Sequence, residues 1–252
     1  MGQALPLVAP LALAVGLWWL FTGAVLWASH RRPSGQRQAM VVATLACVAG
    51  VALAAESAQM PSLLGSYLGF CSVLLVWCWI ELAFLLGWVS GPNRLPCPPQ
   101  STGWTRLMMA VGTILHHEIA LLIAGLAICL PAWNAENTTA AQVFLVMYAM
   151  RLSTKLNLFW GVRNHYDGFL PGPTSHLSSY FRRRGLTPLF AVTAALASAL
   201  TVLAWQQALS IQPSWAQARD AFVASLFTLS LLEHLLLVLP IRPERLWRVG
   251  SA

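Results

Sequence analysis

Residues 107–130 read LMMAVGTILHHEIALLIAGLAICL, an apolar run with His116, His117 and Glu118 set in its middle. An α-helix rises about 1.5 Å per residue, and about 20 mostly apolar residues cover the roughly 30 Å of bilayer hydrocarbon, so this run reads as a transmembrane helix. Its centre is the puzzle. An ionisable group facing lipid costs roughly 2.5 to 3.5 kcal/mol, and such groups persist by turning into a bundle interior and pairing there. The fold therefore depends on whether other runs carry partners.

Other runs do. Candidate spans lie near 5–28, 39–57, 63–89, 107–130, 140–161, 187–209 and 217–239, and ionisable groups recur in three more of them: Glu81, then Arg151 with Lys155, then Glu233 with His234. Composition agrees, with 58% hydrophobic and 9% charged residues and a mean hydropathy of +0.65. Soluble domains carry about a quarter charged residues. The expectation is an all-α, polytopic integral membrane bundle of about seven transmembrane helices, forming one domain over 1–252, because the connections are too short for a separate soluble unit.

The formal charge of +7 raises the question of nucleic acid, and the placement of the basic residues answers it. Arg31, Arg32 and Arg37 follow the first run; Arg94 and Arg106 flank the fourth; Arg163 and Arg182 to Arg184 follow the fifth; Arg242, Arg245 and Arg248 end the chain. They fall on alternate connections, while 58–62, 131–139 and 210–216 hold no Lys or Arg. By the positive-inside rule the C-terminus is cytoplasmic and, with an odd number of spans, the N-terminus is outside. The expected partner is the lipid bilayer and not nucleic acid. The first run lacks the basic start of a secretory signal and reads as an anchor. Tryptophans 27, 88, 104, 133, 160, 205 and 215 lie near the run ends, where an amphipathic ring suits the headgroup zone.

Converting position to depth brings the polar groups together. His117 and Glu118 fall near the midplane, as does Arg151, while Lys155 and Asn157 fall about 6 to 10 Å toward the cytoplasm; Glu81 and Glu233 with His234 fall at a similar level. Arg151 and Lys155 share a helix face at i, i+4 and repel unless carboxylates intervene. Three readings follow. In one, a buried ion-pair network fixes helix register. In another, Glu81, His117, Glu118, Glu233 and His234 ligate a transition metal such as iron, with His116, Arg151, Lys155 and Asn157 as second-layer or ion-pair partners; the neighbouring His-Glu and Glu-His pairs, which point about 100° apart, depart from the Glu-x-x-His of di-iron bundles. In the third, His117 or His234 is the axial ligand of a magnesium pigment or a haem. A transporter is a remaining option, without the paired interrupted helices of repeat-built carriers.

Connections carry weaker signals. Segment 161–187 is the longest, with Arg163, Asn164, His165, Tyr166, Asp167 and His176 below the polar layer; it reads as a lid or docking loop, or as a solvated Gly/Pro turn. Gly65 and Gly69 form a GxxxG at the outer end of the third run. Asn137-Thr138-Thr139 matches a glycosylation sequon and carries no weight. Five cysteines, four of them inside spans, form no CxxC pair.

The polar motifs also carry a resemblance. Leu115-His116-His117-Glu118-Ile119-Ala120, the long stretch from Met150 through Arg151, Lys155 and Trp160 to Asn164, Phe169-Leu170-Pro171, Ser179-Tyr180-Phe181-Arg182-Arg183-Arg184 and Leu232-Glu233-His234 together resemble the PuhE family (photosynthetic complex assembly protein 2), over most of the chain. The resemblance implies a multi-pass protein of the bacterial inner membrane, cytoplasmic or intracytoplasmic, encoded beside reaction-centre genes. It further implies a link to bacteriochlorophyll supply or to assembly of the reaction centre and light-harvesting complex. Implied cofactors are bacteriochlorophyll or a precursor, and implied partners are reaction-centre or light-harvesting subunits and pigment-synthesis proteins. It transfers no catalytic residue. The enzyme alternative is a membrane-embedded, metal-dependent oxidoreductase acting on a tetrapyrrole intermediate of bacteriochlorophyll biosynthesis.

Overall fold

Among the described residues there are seven long helices: α1 Leu5–Ser29, α2 Pro33–Ala58, α3 Leu63–Leu85, α4 Gly103–Ala132, α5 Thr139–Trp160, α6 Pro188–Ala208 and α7 Ser214–Leu236. The computed structural model describes residues 5–165 and 167–239. Arg242, Arg245 and Arg248, on which part of the expected topology rests, lie outside the described residues. Among the described residues no strand forms; one isolated parallel bridge joins Val162 to Arg183.

Local chemistry sets the helix starts. Proline stands at the first positions of α2 and α6, where its missing N–H costs nothing. Ser62 and Thr187 cap α3 and α6, each hydroxyl accepting from the backbone N–H three residues on, at 3.1 and 3.2 Å. The expected third run continued to residue 89, but α3 stops at Leu85. Gly87 takes a positive φ of 72°, its N–H reaches Phe84 O at 2.9 Å and the Trp88 N–H reaches Ala83 O at 2.9 Å. That pair of bonds is a Schellman ending, which satisfies carbonyls the helix would leave bare.

Among the described residues five helices are long and apolar enough to cross a membrane: Leu7–Ser29, Pro33–Ala58, Leu63–Leu85, Gly103–Ala132 and Pro188–Ala208. The other two, α5 and α7, are 22 and 23 residues long but less apolar: α5 carries Arg151 and Lys155, and α7 carries Arg219, Asp220 and Glu233. Length and composition thus mark five spans where the hydropathy reading counted seven.

Helix α3 is the hub, with α1, α2, α4, α5 and α7 packed around it and α6 set against α7 and α5. Its central window is 61% buried, against 11 to 28% for the other apolar helices, whose outer faces carry bare Leu, Val and Ile. A stacked pair, Phe70 on Phe222 with ring centroids 4.2 Å apart, fixes α3 against α7. The glycines of the GxxxG admit backbone: a Cβ on Gly65 would lie 2.0 Å from Met60 O, and one on Gly69 3.2 Å from Ala140 N. Asn137 closes this end. Its Nδ2 donates to Ser57 O and Met60 O at 2.8 and 3.0 Å, and its Oδ1 accepts from the Thr139 hydroxyl at 2.6 Å, so the sequon asparagine is a buried staple.

At the other end the chain folds back on itself. After α3 the segment Ser90–Asn93 lies along α4, where the His117 N–H donates to Ser90 O at 3.0 Å and the Asn93 N–H to Gly112 O at 3.1 Å. Within segment 161–187 two stretches form 3₁₀ turns, Asp167–Phe169 and Gly172–Tyr180, and the second buries Thr174, Leu177 and Tyr180. It is a cap and not a solvated turn.

Candidate functional site: a cavity walled by ion pairs

Helices α1, α3, α4, α5 and α7 and the 161–187 cap line a partly open cavity of about 610 Å³. Small-molecule sites fall between about 300 and 1,000 Å³, mostly apolar with a few placed polar groups. This wall fits that description. Trp18, Phe21, Trp77, Phe84, Phe159 and Phe181 supply aromatic surface, and Glu81, Glu118, Arg151, Lys155 and Glu233 are its charges.

The charges are ordered as pairs. Arg151 Nη2 donates to Glu81 Oε2 at 2.9 Å, joining α5 to α3, and Lys155 Nζ donates to Glu118 Oε1 at 2.5 Å, joining α5 to α4. One turn of α5 therefore presents two cations on one face, each met by a carboxylate from a different helix. Glu233 adds a third carboxylate from α7; its charge acts on Arg151, and it pairs with the Trp18 side chain. Saturation is incomplete: Glu81 Oε1, Arg151 Nε and Ser230 Oγ are buried without a protein partner. Buried polar atoms of this kind are satisfied in most native structures, so they mark a place where a ligand's polar groups can bond.

The histidines separate. His117 is fully buried with its ring centroid 4.4 Å from Phe84, does not line the cavity, and neither ring nitrogen has a partner. His116 is exposed on the outer face of α4, away from the pairs. His234 is fully buried, its Nδ1 at 2.8 Å from Ser230 O and its Nε2 at 2.8 Å from Ser153 Oγ. A carbonyl only accepts, so Nδ1 carries the proton and Nε2 accepts from the serine. Asn157 turns toward α6, donating to Ser153 O and Thr193 Oγ1, both at 3.0 Å. Two residues apart on a helix differ by about 200°, which puts Asn157 opposite Lys155.

Among the described residues no three His, Cys, Asp or Glu side chains gather into a group able to hold a metal. The proposed ligand set is instead divided: Glu81 and Glu118 hold cations, His234 holds serine and carbonyl, and His117, close enough to feel the charges of Glu81, Lys155 and Arg151, bonds none of them. The donor set present fits charge pairing and not a metal centre.

The cap contributes residues of three kinds. Arg163 is exposed, and Asp167 meets Arg183 in an exposed pair at 3.4 Å. Asn164 closes α7, donating from Nδ2 to Leu236 O at 2.6 Å and to Leu239 O. His165 is buried and lines the cavity. Outside the helices, His176 is held below its ordinary value, first by burial and then by the nearby Arg94 guanidinium.

Arg106 shows where sequence reasoning fell short. It was expected as a flank of the fourth span, but it is 5% exposed. Its guanidinium donates to Tyr180 O and, at 3.3 Å, to Phe159 O, and it lies over the Phe159 ring at 4.3 Å. Asn93 reinforces the clasp, donating to Met109 O at 3.0 Å and to the Tyr180 hydroxyl at 2.9 Å. The Tyr180 hydroxyl then donates to Leu95 O at 3.2 Å. The signal available was weak: an arginine three residues inside the helix start, where a topology residue would more simply stand outside it.

Comparison with known proteins gives the following. The model of a family described as "Protein of unknown function (DUF3623)" matches residues 5–251. A Rhodobacter capsulatus protein described as "Uncharacterized 30.4 kDa protein in puhA 5'region" is 37% identical over 235 residues, 92% of this chain and 86% of that one. No solved structure matches the chain.

Proposed function

The chain belongs to the DUF3623 family, and from that premise we propose that it is a photosynthetic assembly factor of the bacterial inner membrane that holds a bacteriochlorophyll-type pigment, or a precursor of one, for delivery to the reaction centre and light-harvesting complex. In this reading all seven helices span the bilayer, with the N-terminus outside and the C-terminus cytoplasmic, and α5 and α7 cross it because their charges face the cavity. Pigment-synthesis proteins and photosystem subunits are its partners.

The observation that carries the reading is the cavity of about 610 Å³, apolar and aromatic over most of its wall, with charged groups confined to a few positions. A tetrapyrrole has that same division: a flat apolar ring with polar carbonyl groups at its edge. Arg151 and Lys155 stand where such groups would be bonded, and their own carboxylate partners keep the site from presenting bare cations. The relative named for the puhA 5' region supports a photosynthetic setting, as does the resemblance to PuhE proteins. The activity proposed is carriage.

The test is purification of the whole protein in mild detergent from a pigmented host, followed by a visible spectrum and an inventory of what co-purifies. A tetrapyrrole band in roughly stoichiometric amount, or reaction-centre and light-harvesting subunits retained with the protein, is the expected result. A colourless preparation without photosystem subunits overturns the reading.

A further inference from the structure

The residues that line the cavity include one imidazole among those described, and it is neither of the two that the apolar runs nominated. His165 stands four residues beyond the Gly161 that ends α5 and reaches the wall from the cap side. It keeps 8% of its surface exposed, and its Nε2 is buried with no hydrogen-bond partner. Among the described residues none bonds it. Phe181 meets the ring edge-on at 5.8 Å, and Phe169, Leu170 and Leu177 complete that end of the cavity. A buried nitrogen without a partner is a standing loss unless a ligand supplies one.

The alternatives are spent or out of reach. His234 uses both nitrogens, on Ser230 O and the Ser153 hydroxyl. His117 has free nitrogens but is fully buried and off the wall. We propose that Nε2 of His165 is the axial ligand for the magnesium of the pigment carried in this cavity. The inference rests on the pigment reading above. A neutral imidazole donates its lone pair to the open axial position of a metal held in a planar macrocycle. The bond is dative, so nothing is oxidised or reduced and no group leaves. An apolar pocket end with a single lone pair suits the face of a metallated ring, where a polar head group would find most of its bonds unmet.

The assignment sets a preference in a reaction sequence: the cavity loads the ring after magnesium insertion in preference to the ring before it, because the ring without metal offers His165 Nε2 no metal to bind.

Bacteriochlorophyll a and bacteriopheophytin a differ only in magnesium against two protons, and they are the probes. Full-length protein in detergent, titrated with each and read by absorption and tryptophan quenching, is expected to favour the magnesium form by at least about tenfold. His165→Ala lowers the affinity for the magnesium form to that for the free base and leaves the free base unchanged, and added imidazole restores the difference. If the wild-type protein binds both equally, or if His165→Ala keeps the preference, the assignment is overturned while the cavity reading stands. If neither pigment binds, both fall. Should His165→Ala not fold, the wild-type comparison of the two pigments decides alone.

Discussion

Arg151 on α5 and Glu81 on α3 meet at 2.9 Å on the wall of the cavity, the arginine side chain as a whole 39% exposed and the glutamate side chain 13%. A pair so placed holds two helices in register, and removing one member leaves the other in a poorly solvated site. For fully buried pairs that loss is about 3 to 5 kcal/mol, and the partial exposure of Arg151 reduces it to about 1 to 3. Glu81→Met and Arg151→Met should each lower the melting temperature in detergent, and the double variant should lose less than the sum. Strict additivity in the cycle would mean that the pair contributes no coupling.

Ser153 and His234 make a second prediction of the opposite functional sign. Ser153→Ala removes the donor to His234 Nε2 while leaving the Nδ1 bond to Ser230 O, at a cost of about 1 to 3 kcal/mol for the unpaired nitrogen. The histidine is off the cavity wall, so pigment affinity should not change. A stability loss with an unaltered absorption band is expected; a shifted band would place His234 in contact with the ligand after all.

The long helices were legible because apolar runs of bilayer length have few other readings, and the charges of α5 and acids of α3 and α4 pointed at one another by depth and sign. Which neighbour faces inward was not legible. His116 and His117 differ by about 100° around one helix, and only packing against Phe84 and Ser90 decides that the second is buried. Asn157 was read with Lys155, but Thr193 on α6 claims it. Arg106 was read as a surface flank because its partners, the carbonyls of Phe159 and Tyr180, are backbone atoms that carry no sequence signature. His165 lies in a connection whose fold over the cavity depends on that same clasp.

Two glycines should respond oppositely to the same change. A Cβ on Gly91 would lie 2.1 Å from Gly112 O and 2.5 Å from the Thr113 carbonyl carbon, where backbone meets backbone. Gly91→Ala must force the Ser90–Asn93 segment off α4, breaking the bonds that place His117, and should leave little folded protein in the membrane. Gly16 in α1 has nothing within 4 Å, so Gly16→Ala meets open space and should be neutral or stabilising by about 0.5 to 1 kcal/mol. Yield after detergent extraction and melting temperature read both; equal tolerance at the two sites would contradict the close approach.

The cap should loosen in mild acid through His176. Its imidazole lies in the 3₁₀ stretch Gly172–Tyr180, with its value lowered from 6.5 by burial and by Arg94, which itself donates to Gly87 O at 2.9 Å. A lowered value in the fold means that unfolding takes up a proton between the two values. The stabilisation from the neutral ring is therefore present above about 6.5 and is lost as pH falls through the lowered value. Protonation would set a second cation beside Arg94, against the turn that covers the cavity. Amide exchange over 172–180, corrected for its intrinsic pH dependence, should quicken between about pH 7.5 and 5.5. A His176→Gln variant, which cannot take the proton, should show no such change. Equal acid response in the two proteins would assign the loosening to another group.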